Sequence, residues 1–134
     1  MVEITDEPIS PEVVVNRVKT EDSGCVATYI GLIRNNSYGK PVLSVEYRDV
    51  DGTAINGLQK IEAEIRQKWT VNNLAVVHRV GVLKVGDINL VVAIAAGHRG
   101  EGFAACQYAV DRFKELMPAR KIETYLDGSV SGEG

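Results

Sequence analysis

The stretch that most constrains this chain is Ile88–Ala96, INLVVAIAA, an almost unbroken apolar run. A run of that length suits one strand buried on both faces, so layers must cover it on each side. Gly97-His98-Arg99-Gly100 breaks it with two glycines around two basic side chains. Phe103, Cys106, Val110, Phe113 and Met117 then recur at the spacing of one helix face. Pro118 predicts the end of that helix, because the residue before a proline is pushed out of the α region. Arg120-Lys121-Ile122-Glu123 follows, with Tyr125 extending it as a strand. The unit thus carries His98 and Arg99 at the helix start, Lys114 near its far end and Lys121 just beyond.

The remaining segments supply the covering layers. Ser10-Pro11-Glu12 reads as a helix start: Ser as N-cap, Pro in the first turn, then a carboxylate. Val14, Val15 and Val18 share one face of a short helix ending near Lys19. Cys25–Ile33 reads as a strand, and Gly31 inside it predicts a bulge or a close backbone approach. Arg34–Pro41 is a loop by composition. Val42–Arg48 alternates as a half-exposed strand, with Val42, Ser44 and Glu46 against Leu43, Val45 and Tyr47. Thr53 can cap a helix whose buried face is Leu58, Ile61, Ile65 and Trp69; Gly57 weakens it by roughly 1 kcal/mol relative to Ala. Leu74–Val80 is a strand, and the turn Val85-Gly86-Asp87 predicts a hairpin with the long strand. Ser129–Gly134 is small and polar, and fraying is expected there. The order α, β, β, α, β, β, α, β predicts a mixed α+β fold in one domain spanning 1–134.

Totals exclude several functions. With 134 residues and a net charge of −3, the chain is a single-domain length and no polyelectrolyte binder. No Lys/Arg stripe with interleaved aromatics suggests nucleic-acid binding. No apolar run reaches the roughly 18–20 residues that span a bilayer, and the acidic start MVEITDEPIS lacks the apolar core of a signal peptide. A cytoplasmic location is expected. Cys25 and Cys106, far apart in apolar surroundings, read as reduced core residues. No metal-ligand spacing, Walker loop or dinucleotide fingerprint occurs.

Three candidates for chemistry remain: the turn Gly97-His98-Arg99-Gly100, Lys114 with Lys121, and Arg34. Gly97-His98-Arg99-Gly100 at a helix start suits a phosphate, with Arg as a bidentate fork and His as a donor, although such turns are also common on plain surfaces. Lys114 borders the apolar helix face, where it either snorkels harmlessly or is partly desolvated for proton transfer or nucleophilic attack. Lys121 alternates with Glu123 on one strand face, where a surface ion pair is the simplest reading. Arg34 stands where a strand enters a Gly/Asn loop, a usual place for binding residues. His78, in mid-strand, reads as a core histidine. Arg99 and Lys114 are about 22 Å apart along one straight helix rising 1.5 Å per residue. They therefore serve different sites, or a two-fold dimer brings His98 and Arg99 of one copy to Lys114 of the other.

Taken in order, several segments together resemble the catalytic (large) subunit of molybdopterin synthase. They are Thr28-Tyr29-Ile30-Gly31-Leu32-Ile33-Arg34-Asn35, His78-Arg79-Val80-Gly81, Val85-Gly86-Asp87, Gly97-His98-Arg99, and the run Gln107, Asp111, Lys114, Pro118, Lys121, Glu123. The resemblance covers Gly24 to Gly128. It implies an α/β hammerhead fold and a homodimer within a heterotetramer. The other subunit would be a small ubiquitin-like sulfur carrier with a C-terminal Gly-Gly thiocarboxylate. The implied activity is a sulfurtransferase step of molybdenum cofactor biosynthesis, from the carrier to cyclic pyranopterin monophosphate, giving the dithiolene of molybdopterin. It implies Lys114 and Lys121 as catalytic lysines, and Arg34, His98 and Arg99 as ligands of the pterin phosphate. Tyr29, Val110 and Glu123 would line or support the pocket, with no metal and no further cofactor. A non-catalytic module that only docks the carrier is the alternative. The chain departs from the family at Ala119-Arg120, where bulky aromatics often stand, and in the tail Ser131-Gly132-Glu133-Gly134, where a Trp and a longer basic stretch are common.

Overall fold

The computed structural model describes residues 1–131. The long apolar run forms β7 (Ile88–Ala96), flanked by β5 (Asn73–Arg79) and β2 (Cys25–Leu32), both antiparallel to it. A strand not expected from the sequence, β1 (Val2–Thr5), adds parallel to β5, giving the order β1-β5-β7-β2. The two-sided burial of β7 follows from its period of two. Leu90, Val92 and Ile94 face two helices, α2 (Ala54–Lys68) and α3 (Arg99–Leu116), and pack with Leu58, Ile61, Ile65, Ala105 and Ala109. Val91, Ala93 and Ala95 face the opposite way, onto Ile9 and on Val14 and Val18 of α1 (Pro11–Val18).

Helix starts follow local chemistry. Ser10 caps α1 by accepting from the Val13 N–H at 3.3 Å, with Pro11 opening the helix. At α2 the expected cap moves. Asp49 accepts from the Ala54 N–H at 2.9 Å, while the Thr53 hydroxyl turns back to donate to the Val50 carbonyl. A carboxylate at a helix N-terminus gains from the dipole as well as the hydrogen bond.

The second sheet has the order β3-β4-β8-β9 and positions the site. It is built from β3 (Asn36–Ser37), β4 (Lys40–Arg48), β8 (Arg120–Tyr125) and β9 (Val130–Ser131), with β6 (Gly81–Lys84) on the other side of β4. The expected hairpin between β5 and β7 exists as a pairing, but β6 interrupts it and crosses to this sheet. A register shift in β4 between Val42 and Ser44 breaks the simple alternation, so Val42 is buried with Val45 and Tyr47 while Leu43 is exposed. Composition predicts fraying from Ser129, yet Val130 and Ser131 pair with Thr124 and Glu123. Residues 132–134 lie outside the described residues.

The apolar face of α3 is also rotated from the expected one. Cys106, Val110 and Phe113 are buried as the spacing predicts. Phe103 and Met117 are 65% and 58% exposed, and their places are taken by Gly102, Ala105 and Ala109. The stripe is made of small residues because the helix lies close to the sheet: a Cβ on Gly102 would stand 3.2 Å from the Cys25 sulfur. Met117 ends α3 in the left-handed conformation, φ 45°, ahead of Pro118. Among the described residues no helix is long and apolar enough to cross a membrane.

Candidate functional site

Where α3 ends and β8 begins, two recesses meet beside the first sheet. The smaller, about 180 Å³, has an apolar floor of Leu90, Phe113 and Ala119. The larger, about 620 Å³, runs along Ile30–Arg34 and the β3 turn. Tyr29, Tyr47, Asn89, Lys114 and Lys121 line both. The sharp turn at Met117-Pro118 explains how two lysines seven positions apart reach one place. It reverses the chain so that the last turn of α3 and the first residues of β8 face the same opening.

Each expected residue has a definite position. Lys114 is exposed at the recess and makes no ion pair among the described residues. Lys121 points its ammonium toward Glu123 at 3.8 Å, a loose, half-exposed pair that leaves the cation available. The Glu123 carboxylate is held from behind. Its Oε1 accepts from the Ser37 hydroxyl at 3.0 Å and from the Tyr125 hydroxyl at 2.9 Å, so Oε2 is the oxygen left for Lys121. Ser131 hydrogen-bonds to Tyr125 at 2.5 Å, tying β9 into the same network. Tyr29 and Arg34 line the larger recess. Five of the eight expected residues therefore share one cavity: Tyr29, Arg34, Lys114, Lys121 and Glu123.

Three lie elsewhere. His98 and Arg99 are exposed at the opposite end of α3 and line neither recess. Val110 is buried in the core, one turn before Phe113 and Lys114. Cys106 is buried too, as expected of a reduced core residue, and burial pushes its thiol up to about 11, so it stays protonated at neutral pH.

Sequence reasoning missed Tyr47 and Asn89, which line both recesses, while His78 is the core histidine it expected and packs behind Tyr47. His78 is fully buried and packs edge-on against both Tyr47 and Phe113, each with ring centroids 4.8 Å away. Its Nδ1 donates to the Asn89 carbonyl at 2.7 Å. Nε2 is then the unprotonated nitrogen, and burial lowers the ring's pKa and keeps it neutral. Asn89 packs on Gly31, where a Cβ would come within 2.5 Å of Oδ1; this is the close approach that the glycine signalled. The register of β2 shifts between Gly31 and Leu32 as well.

Fold and site together define a class: an α+β protein whose helix end and strand start present two lysines over a partly apolar recess, suited to holding anions. The sequence matches the family described as MoaE protein over residues 4–116. It is 36% identical over 126 residues to the molybdopterin synthase catalytic subunit of Bacillus subtilis, covering 94% of this chain and 80% of that one. It is 41% identical over 127 residues to the Nostoc protein of the same name, covering 94% and 77%. The crystal structure of molybdopterin synthase from Staphylococcus aureus superposes with a TM-score of 0.88 at 32% identity, covering 98% of this chain and 96% of that one. The chain belongs to the MoaE protein family and shares the mixed α+β fold of its molybdopterin synthase relatives.

Proposed function

We propose that this protein is the catalytic subunit of a molybdopterin synthase. It transfers sulfur from the C-terminal Gly-Gly thiocarboxylate of a small ubiquitin-like carrier to cyclic pyranopterin monophosphate, in two steps, forming the molybdopterin dithiolene. The observation that carries this reading is the meeting of Lys114 and Lys121 on one recess, with Arg34 on its continuation. Donor and acceptor are both anions, so cations must hold them together and offset the charge that develops as the acyl–sulfur bond breaks. A lysine can also shuttle protons as the cyclic phosphate opens.

In this reading Lys114 and Lys121 are catalytic, and Glu123 orients Lys121. Tyr29 lines the pocket, and Val110 supports the Lys114 turn from the core. Arg34, His98 and Arg99 bind the phosphate. His98 and Arg99 start a helix about 22 Å before Lys114, so they join the site when a second copy presents them. The working unit is then a homodimer carrying two carrier subunits, acting in the cytoplasm. The test is to incubate the purified protein with thiocarboxylated carrier and cyclic pyranopterin monophosphate and to assay dithiolene. Formation of dithiolene is expected. Carrier binding with no dithiolene would make the protein a docking module instead.

A further inference from the structure

Tyr47 is a polar group at the heart of the recess that the assignments above leave unused. It stands directly across from Lys121 in the β4–β8 pairing, is 7% exposed, and lines both recesses. Its hydroxyl oxygen accepts a hydrogen bond from the Asn89 amide nitrogen at 2.9 Å. The reverse orientation of that amide would bury two N–H donors against Gly31, where a single carbonyl oxygen now lies without a partner. In the present orientation one sealed acceptor is stranded while the Tyr47 O–H borders the recess; in the reverse one two sealed donors are stranded, which costs more, so Asn89 is the donor. The Tyr47 O–H must then find its acceptor elsewhere, and the described residues offer none. Burial raises the pKa of the phenol, so it keeps its proton at neutral pH. Its ring is locked edge-on against His78, whose own ring is pinned by the Asn89 carbonyl.

We propose that Tyr47 is a substrate-contacting hydrogen-bond donor, giving its O–H to an anionic oxygen seated between Lys114 and Lys121. The proposal rests on the sulfur-transfer reading for its substrates, though not for its geometry. The oxygen belongs either to a phosphate or to the terminal carboxyl group of an extended peptide. A neutral donor complements the two ammonium groups: it adds direction without adding repulsion among cations.

The test is Tyr47→Phe, which keeps the ring against His78 and removes only the O–H. Binding is measured calorimetrically with two probes, inorganic phosphate and a peptide ending in Gly-Gly, and dithiolene formation is followed in parallel. The variant should lose about 10- to 100-fold in affinity for one probe or in turnover, as expected for a hydrogen bond to a charged group. The probe affected identifies the source of the oxygen. Unchanged binding of both probes together with unchanged turnover overturns the proposal. Should Tyr47→Phe fail to fold, Asn89→Ala decides: it frees the phenol from its aim, so a weakened probe supports the donor role and undiminished binding of both overturns it. A wild-type protein that forms no dithiolene defeats the sulfur-transfer reading alone, because the binding measurements still decide the role of Tyr47.

Discussion

Gly57→Ala separates two opposed effects at one position. Gly57 lies inside α2, where helix propensity alone says that alanine gains about 1 kcal/mol. The packing argues the other way. A Cβ at this position would stand 3.0 Å from both Cβ and Cγ of Pro118, and 3.6 Å from its Cα. Pro118 is a rigid ring in the turn between α3 and β8, so it cannot swing aside as a long side chain could. Overpacking of this kind costs about 1–3 kcal/mol. The net expectation is a loss of about 1 kcal/mol, or a fall in melting temperature of about 4 °C for a chain of this size. Gly100→Ala is the control. It is also helical, but an added Cβ there meets nothing within 4 Å, so it should be neutral or stabilising. Urea and thermal unfolding of both variants give the comparison. A Gly57→Ala protein stabilised by about 1 kcal/mol would refute the claim that this glycine exists to admit Pro118. Because Pro118 also lines the smaller recess, the variant should slow turnover as well.

Two further predictions concern titration and reactivity. The Arg112 guanidinium and the Tyr108 hydroxyl hold the Glu64 carboxyl down at about 2. A depressed acid stabilises the folded state above its unfolded pKa near 4.5, and that contribution fades as pH falls toward 2. Solvent screening limits it to about 1 kcal/mol, and Glu64→Gln should flatten the acid limb of the stability–pH curve by that much. Cys106 should resist alkylation at pH 8 until the protein is unfolded, as followed by mass spectrometry with and without urea.

How much of this was legible in the sequence depended on local signals. β7 and its two-sided burial could be read because an unbroken apolar run has few other solutions. The Ser10-Pro11 start of α1 and the end of α3 before Pro118 could be read from caps and breakers. β1, β3, β6 and β9 escaped because they are two to four residues long and are fixed by pairing partners, a tertiary effect with no periodic trace. Phe103 and Met117 misled for a related reason: spacing reveals a face, but only the approach of the sheet at Gly102 decides which stripe is buried. In the site, Lys114 and Lys121 were recognisable as cations near one turn. The grouping of Tyr47 and Asn89 on the recess, backed by the core residue His78, was not, since it joins β4, β5 and β7 by contacts that no spacing encodes. The Asp49 cap of α2 was hidden because a carboxylate five residues before Ala54 reaches back over a turn.

The central claim is that Lys114 and Lys121, delivered by a helix end and a strand start, act on one bound substrate. A double-mutant cycle in single-turnover dithiolene formation tests it, using Lys114→Ala, Lys121→Ala and the pair with saturating thiocarboxylated carrier. Groups that work as a unit are strongly non-additive, so either single change should slow the reaction nearly as much as both together. Losses that simply multiply, or a Lys114→Ala protein that transfers sulfur at the wild-type rate, would contradict the account.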